Sequence, residues 1–408
     1  MNARARRNRH SVRERPVASG IRAWLRPPRA HGEIIEDRTV SFLELFYDLV
    51  FVVLVARIAH TLADDVSWAG VRDFVLVFAL IWTAWANGSM YHEFHGGEDG
   101  RSRSYIFAQM SLLVLLSVYA GHATTDTDDG RGFAAVYTVL LVLIGWQWFD
   151  VRRHDAPEMR PLATSYIVGI GVVTVIMAAS AFVGANNARL VLWLVALVMS
   201  FAVAVIQGPR LGEAMRVTES MAERFGLFVI IVLGEVVVGV ADGLAVAEPD
   251  IRTIVTGMLA LGIGFGLWWN YFDFVGRRIP RPANAPRSVW LYGHLPLVMS
   301  VAAAGAGMVS LVEHAADARA PANSAWLIAG ATATAATSLA MVAATMASHV
   351  GRRFVPHALL GAAAVSLVLG ALRPPPWALA LGLNATLLAV WADAFVRHAR
   401  HDLPIAES

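Results

Sequence analysis

Long apolar stretches alternate with short polar ones along almost the whole chain. Twelve of the apolar stretches are candidates to cross a bilayer: 41–63, 70–91, 104–122, 132–150, 161–183, 188–207, 222–241, 252–275, 289–311, 323–347, 354–372 and 376–396. About 20 helical residues at 1.5 Å rise span a hydrocarbon core of ~30 Å, and each stretch is close to that length. The polar connections are short, so no soluble domain is inserted. Arg373-Pro374-Pro375-Pro376 forces a break between the last two stretches, because proline lacks the N–H and clashes with the preceding turn.

The first stretch, SFLELFYDLVFVVLVARIAHTLA, carries Glu44, Asp48, Arg57 and His60. A charged side chain near mid-bilayer costs roughly 2.5–3.5 kcal/mol on insertion scales and tends to face a bundle interior or a wet cavity. This helix therefore needs partners. Its pattern returns from Met221, where MAERFGLFVIIVLGEVVVGVADG aligns without a gap on the chain from Phe42, setting Glu223 on Glu44 and Phe225 on Phe46. Arg57 falls one position after the match to Glu235. The likeness continues, with Trp82, Trp85 and Asn87 against Trp268, Trp269 and Asn270, and Gln109 against His294.

Six helices per unit is an even number, so both units enter the membrane from the same side and their symmetry axis runs along the membrane normal, as in parallel-repeat transporters. The expected fold is all-α and polytopic, with about twelve transmembrane helices as two parallel six-helix repeats over 41–207 and 222–397. A disordered basic tail, 1–40, precedes them, and a short C-terminal tail, 398–408, follows.

Composition sharpens this picture. Hydrophobic residues make up 57% of the chain and charged ones only 16%, against about a quarter in soluble domains. There is no cysteine, which excludes disulfides, thiolate metal sites and thiol catalysis. All 33 basic residues are arginine, so Schiff-base chemistry and a P-loop lysine are also excluded. Ten arginines lie in the first 40 residues, a segment with no apolar core and no small-residue cleavage site of a signal peptide. If the N-terminus is cytoplasmic, 26 arginines fall on that side, six fall one to each opposite loop (Arg72, Arg131, Arg189, Arg252, Arg319, Arg373), and Arg57 alone is left inside the membrane. The positive-inside bias then puts both termini in the cytoplasm of a plasma-membrane protein. The basic tail is read as a contact for anionic lipid, not as a nucleic-acid binder.

At LELFYDLVFV in the first stretch, ERFGLFVIIVLGE in the seventh and GLWWNYFDF in the eighth, the sequence resembles the bacterial low temperature requirement A family. The resemblance covers roughly residues 38–397. It implies a multi-pass membrane protein and brings no substrate, reaction or cofactor with it.

The polar residues inside the helices are the candidates for chemistry. Glu44 and Glu223 sit at helix ends near the headgroups, where an acid also complements the helix N-terminus. Asp48, Arg57 and Glu235 lie deeper and are the residues expected to carry charge or protons. Arg57 and Glu235 are expected to pair across the repeat, although Arg57 and Asp48 fall on opposite faces of their helix. Asn87, Gln109, Asn270 and His294 form a second polar group. Trp82, Trp85, Trp146, Trp148, Trp268 and Trp269 read as an interfacial belt, with a cation cage as the alternative. His92-Glu93-Phe94-His95 has its histidines three apart, not the four of a zincin helix, so no metal or cofactor is expected. The functional expectation is a secondary transporter of a small solute or ion, with proton coupling through the carboxylates. The alternatives are an ion channel between the first and seventh helices, or a membrane enzyme or lipid-handling protein.

Overall fold

A computed structural model describes residues 27–31, 38–97, 99–184, 187–211, 216–248, 250–346 and 354–400. Among them are twelve helices: α1 (Phe42–Asp64), α2 (Trp68–His95), α3 (Gly100–Ala120), α4 (Thr127–His154), α5 (Arg160–Ser180), α6 (Asn187–Leu211), α7 (Glu219–Val246), α8 (Ile251–Phe274), α9 (Asn284–Glu313), α10 (Ala322–Ala343), α11 (Val355–Leu372) and α12 (Pro376–Arg400). Ten are long and apolar enough to cross a membrane. α1 has the length, at 23 residues, but carries the charges noted above. The chain is an all-α, multi-pass membrane protein.

Several helices run past their apolar stretch, because capping and not hydropathy decides where they stop. α1 opens with a capping box, in which Ser41 Oγ accepts from Glu44 N–H and the Glu44 carboxylate accepts from Ser41 N–H at 2.9 Å. Asp99, Asp126 and Thr218 cap α3, α4 and α7 by the side chain alone, accepting from N–H groups of the first turn, and Asp250 accepts from Ile251 N–H at the start of α8. α4 continues through Arg152, Arg153 and His154, three basic residues in its last turn, where they face the negative helix end. α11 closes on Arg373 in the left-handed region, φ 51°, and Pro376 opens α12. Pro296 lies inside α9 without ending it.

Hydrogen bonds between connections define the two ends of the bundle. At one end Arg281 N–H reaches Thr345 O, and Arg29 N–H reaches His95 O. At the other, Ala320 N–H reaches Pro374 O, and Arg189 reaches Asp126 and Thr127. The first is called here the arginine-rich end and the second the acidic end. α2, α9 and α10 are the most enclosed helices, and α1 and α7 pack against each other and against α9. The outward face of α1 is apolar, with Phe42, Phe46, Leu49 and Val53 exposed.

Small residues set the closest approaches. A Cβ on Gly239 of α7 would stand 2.1 Å from the Gly305 carbonyl oxygen of α9. Gly262 and Gly266 seat α8 on Asn384 and Leu387 of α12, in keeping with the G-x-x-x-G spacing.

Within the segment expected as a tail, Arg29, His31 and Arg38 contact the bundle. Arg29 donates to the carbonyls of Gly96 and Glu93, at 2.7 and 2.6 Å, and so caps the C-terminus of α2 with positive charge. His31 pairs with Asp155 at 2.7 Å, where α4 ends. The rest of 1–40, and 401–408, lie outside the described residues.

Candidate functional site

Arg224 is the charge that the sequence reading misassigned. Counted there among interfacial arginines, it is in fact 2% exposed, one turn into α7, and points into the bundle. Its Nη2 donates to Asp48 Oδ1 at 3.0 Å and its Nε to Asp48 Oδ2 at 3.2 Å, a two-pronged bond from α7 to α1. Asp48 also accepts from Trp85 Nε1 of α2 at 2.8 Å and has no exposed surface. Trp85 is in turn stacked on Phe228 of α7, 4.0 Å between ring centres. Three helices thus hold one carboxylate.

The network continues to the arginine-rich end. Glu44 accepts from Arg38 and, at 3.4 Å, from Arg224 Nη1. The other arm of Arg38 reaches Glu93 of α2 and, at 3.0 Å, Ser220 Oγ of α7. Glu93 accepts further from Thr218 Oγ1 at 2.6 Å and Ser220 Oγ at 2.7 Å. Three carboxylates therefore face two guanidinium groups (Arg38, Arg224) in a largely buried cluster, and the Arg29 guanidinium lies close by on the Glu93 carbonyl. His92 is buried beside it, and its Nε2 has no hydrogen-bond partner. Each carboxylate oxygen is an acceptor here, and buried charges persist only when so bonded.

A second, smaller cluster lies toward the acidic end of the same helix pair. Glu235 of α7 is 4% exposed and shares a cleft with His60 of α1 and Asp242 of α7. His60 Nε2 and Asp242 Oδ2 are 3.2 Å apart. The expected Arg57–Glu235 pair does not form among the described residues. Arg57 is exposed, and its aliphatic stem lies against Gly121, the residue that follows α3. Arg57 and His60 lie three residues apart, only about 60° round the helix, and Arg57 takes the side toward Gly121 while His60 meets Asp242 of α7.

Glu223 is exposed whereas Glu44 is buried, so the two aligned acids do not occupy equivalent environments. The second polar group is dispersed. Gln109 Nε2 of α3 donates to Gln147 Oε1 of α4 at 2.9 Å. Asn270 Nδ2 ties α8 to Leu387 O of α12 at 3.2 Å. His294 Nδ1 lies 2.6 Å from Trp290 O and so carries the proton, leaving Nε2 to accept from Tyr271 Oη at 3.1 Å. Asn87 alone of these lines a cavity of about 100 Å³ between α2, α4, α5, α6, α7 and α9 toward the arginine-rich end. Of the tryptophans, Trp146 and Trp268 are exposed as a belt requires, but Trp82, Trp85 and Trp148 are buried and serve packing, and Trp85 also donates a hydrogen bond to Asp48.

Sequence reasoning missed Arg38, Glu93, Arg224, His60 and Asp242 as site residues. Arg38 and Arg224 were counted as topology markers and Glu93 was weighed only as part of a metal motif. Among the described residues no group of three His, Cys, Asp or Glu is arranged to hold a metal.

Comparison with known proteins places this geometry. The chain is 26% identical over 313 residues to an uncharacterized protein of Rhizobium meliloti (strain 1021), a match covering 70% of this chain and 71% of the relative. No solved structure matches it. The family model described as bacterial low temperature requirement A protein matches residues 39–392, from just after Arg38 almost to the end of α12, so the chain belongs to the LtrA family.

Proposed function

We propose that the protein is a secondary transporter of a small solute, coupled to a proton or another cation, in the plasma membrane with the arginine-rich end cytoplasmic. The observation that carries this reading is the α1–α7 interface. It has an ionisable cluster at each end, Asp48, Arg224, Glu44 and Glu93 at one and Glu235, His60 and Asp242 at the other. Between them Phe51, Leu54, Val229 and Val232 form a buried apolar plug. Ionisable groups inside a bundle mark ion or proton paths, and the carboxylates at both ends are the groups that would carry a cation or proton. The plug keeps the ends apart, as alternating access requires. The cavity beside Asn87 is the solute site in this reading.

The two halves are proposed to be parallel repeats that move against one another. Their packing supports this: α1 adjoins α2 and α3 as α7 adjoins α8 and α9, α4 joins α3 to α5 as α10 joins α9 to α11, and α6 adjoins α2 and α5 as α12 adjoins α8 and α11. The buried positions Phe51, Val55, Ile58 and Leu62 of α1 have the same spacing as buried Val232, Val236, Gly239 and Gly243 of α7, two positions from the gap-free alignment, which supports the repeat.

The test exploits the absence of cysteine. In oriented vesicles, an impermeant maleimide should reach Asn87→Cys from the cytoplasmic side and Val238→Cys from the outside. In the double variant, a bulky label on one should suppress labelling of the other. Independent labelling accompanied by unitary currents in planar bilayers would replace transport with the channel reading.

A further inference from the structure

We infer that the groove between α2, α9 and α10 binds one acyl chain of a phospholipid from the leaflet at the acidic end. The groove has a volume of about 800 Å³ and reaches from Ser67, just before α2, and Asn323, in the first turn of α10, to Ser300 and Thr334. Its floor is buried and is drawn from α1 and α2 (Leu62, Phe74) and from α9 and α10 (Ala303, Leu327, Ala331).

The chemistry of the wall excludes a charged or strongly polar occupant. Among the described residues no charged side chain lines it, and its hydroxyls are already engaged. Ser300 Oγ donates to Leu297 O and Thr334 Oγ1 to Gly330 O, both at 2.8 Å and within their own helices. Ser67 Oγ accepts from Gly70 N–H at 3.1 Å. An apolar void of this kind does not hold water, and leaving it empty forfeits contacts along its whole lining. Hydrocarbon is what fills it.

Depth and aperture identify where the chain comes from. From Asn323 to Thr334, α10 rises about 16 Å at ~1.5 Å per residue, about half of a hydrocarbon core of ~30 Å, which is the reach of one leaflet's chains. Val75 of α2 and Leu367 of α11 line the groove and are exposed, although each lies several residues inside its apolar helix. The groove therefore opens sideways into hydrocarbon. Exposed Trp68 and Trp326 stand near its acidic end, the level at which indoles meet headgroups. The volume is that of about 27 waters in the liquid, room for one chain, so the headgroup and second chain stay outside. This binding is independent of the transport reading.

The test is photo-crosslinking of the full chain purified in a sterol-based detergent, which has no alkyl chain to compete. The probe is a phosphatidylcholine with a diazirine midway along one acyl chain. Crosslinks read by mass spectrometry should gather on Leu327, Ala331 and Leu367, saturate as probe is added, and fall when unlabelled phosphatidylcholine is present in excess. Those on the outward face of α1, at Phe46, Leu49 and Val53, report lipid that only surrounds the protein and should rise without saturating. Gly330 lines the groove, and a Cβ there would meet nothing within 4 Å. Gly330→Phe should therefore cut groove labelling about tenfold, the loss that overfilling by ~1.4 kcal/mol gives, and leave α1 labelling unchanged. An unchanged Tm certifies that the variant is folded, and Gly330→Leu replaces it if that check fails. Groove labelling that rises in step with α1, or that is undiminished in the folded variant, overturns the site. If a photoreactive free fatty acid labels the groove and the phospholipid probe does not, the phospholipid is overturned as its occupant.

Discussion

Asp48 and Arg224, 176 residues apart in sequence, meet at 3.0 Å in the interior of the bundle and join α1 to α7. Removing one member of such a pair strands the other charge, which typically costs about 3–5 kcal/mol, whereas replacing both with apolar groups of similar size is far less damaging. Arg224→Met and Asp48→Ala should each lower thermal stability in detergent sharply, with Arg224→Met the worse because it leaves two carboxylates, Asp48 and Glu44, under-bonded. Asp48→Asn should fall between, since its amide oxygen still accepts from Trp85. A double Asp48→Leu, Arg224→Met variant more stable than either single is expected; one that merely adds the two losses would dissolve the pair.

The acidic-end cluster makes a prediction about coupling. Glu235 shares its cleft with His60 and Asp242, and Arg57 faces away. A double-mutant cycle between His60→Ala and Glu235→Gln should return an interaction energy above about 0.5 kcal/mol, the usual mark of neighbouring sites. The cycle between Arg57→Ala and Glu235→Gln should be additive. Abundance in the membrane and unfolding midpoint both report it, and a larger Arg57 coupling would restore the cross-repeat pair.

Close approach of α7 and α9 can be tested with glycines of one helix. A methyl group on Gly239 would meet the Gly305 carbonyl oxygen at 2.1 Å, while one on Gly234 meets nothing within 4 Å. Gly239→Ala should destabilise by about 1–3 kcal/mol through overpacking. Gly234→Ala should be neutral or stabilising by up to about 1 kcal/mol, because glycine weakens a helix interior. Equal midpoints for the two variants would contradict the interface.

The turn between α3 and α4 gives a pH prediction. Asp126 caps α4, and the backbone N–H groups of Asp129 and Asp128 hold its carboxyl below the ordinary aspartate value of 3.8. A lowered folded value means that ionised Asp126 stabilises the fold fully above 3.8. The contribution shrinks as the pH drops below 3.8 and is gone beneath the folded value. Unfolding scans from pH 7 to 2 should therefore bring Asp126→Ala and the parent chain together at the acid end. A gap that stays constant to pH 2 would show that the cap acts without its charge.

That same turn encloses Arg189, whose guanidinium donates to the carbonyls of Asp126, Thr127 and Val183 at 2.9, 3.1 and 2.6 Å. A Cβ on Gly130 would stand 1.5 Å from its Nη1. Gly130→Ala should therefore expel Arg189, lowering stability as much as Arg189→Ala does, and the double variant should add little further loss.

The sequence by itself determined the class of molecule and much of its frame. Apolar stretches of bilayer length specify membrane helices, because a backbone in hydrocarbon must satisfy its own hydrogen bonds. Their starts are set by local capping chemistry at Ser41, Asp99, Asp126 and Thr218, so α3, α4 and α7 begin a few residues before the apolar stretches expected at 104, 132 and 222. The acids inside α1 announced that it needs partners, and Asp48 meets one in Arg224. Tertiary structure alone decided who those partners are. Periodicity gives a residue's depth and its face on its own helix, but a partner's identity depends on how far the neighbouring helix is rotated and shifted. Arg224, one turn inside α7, looked like an interfacial charge until that rotation turned it onto Asp48. Arg57, deeper in charge terms, was rotated away from Glu235, and His60 took the place beside it. Arg38 precedes the first helix, where no helical pattern reaches; only the docking of its segment across α1, α2 and α7 brings it to Glu44 and Glu93. Electrostatics then holds what packing brought together, since charges removed from water persist only where opposite charges and hydrogen-bond donors already converge.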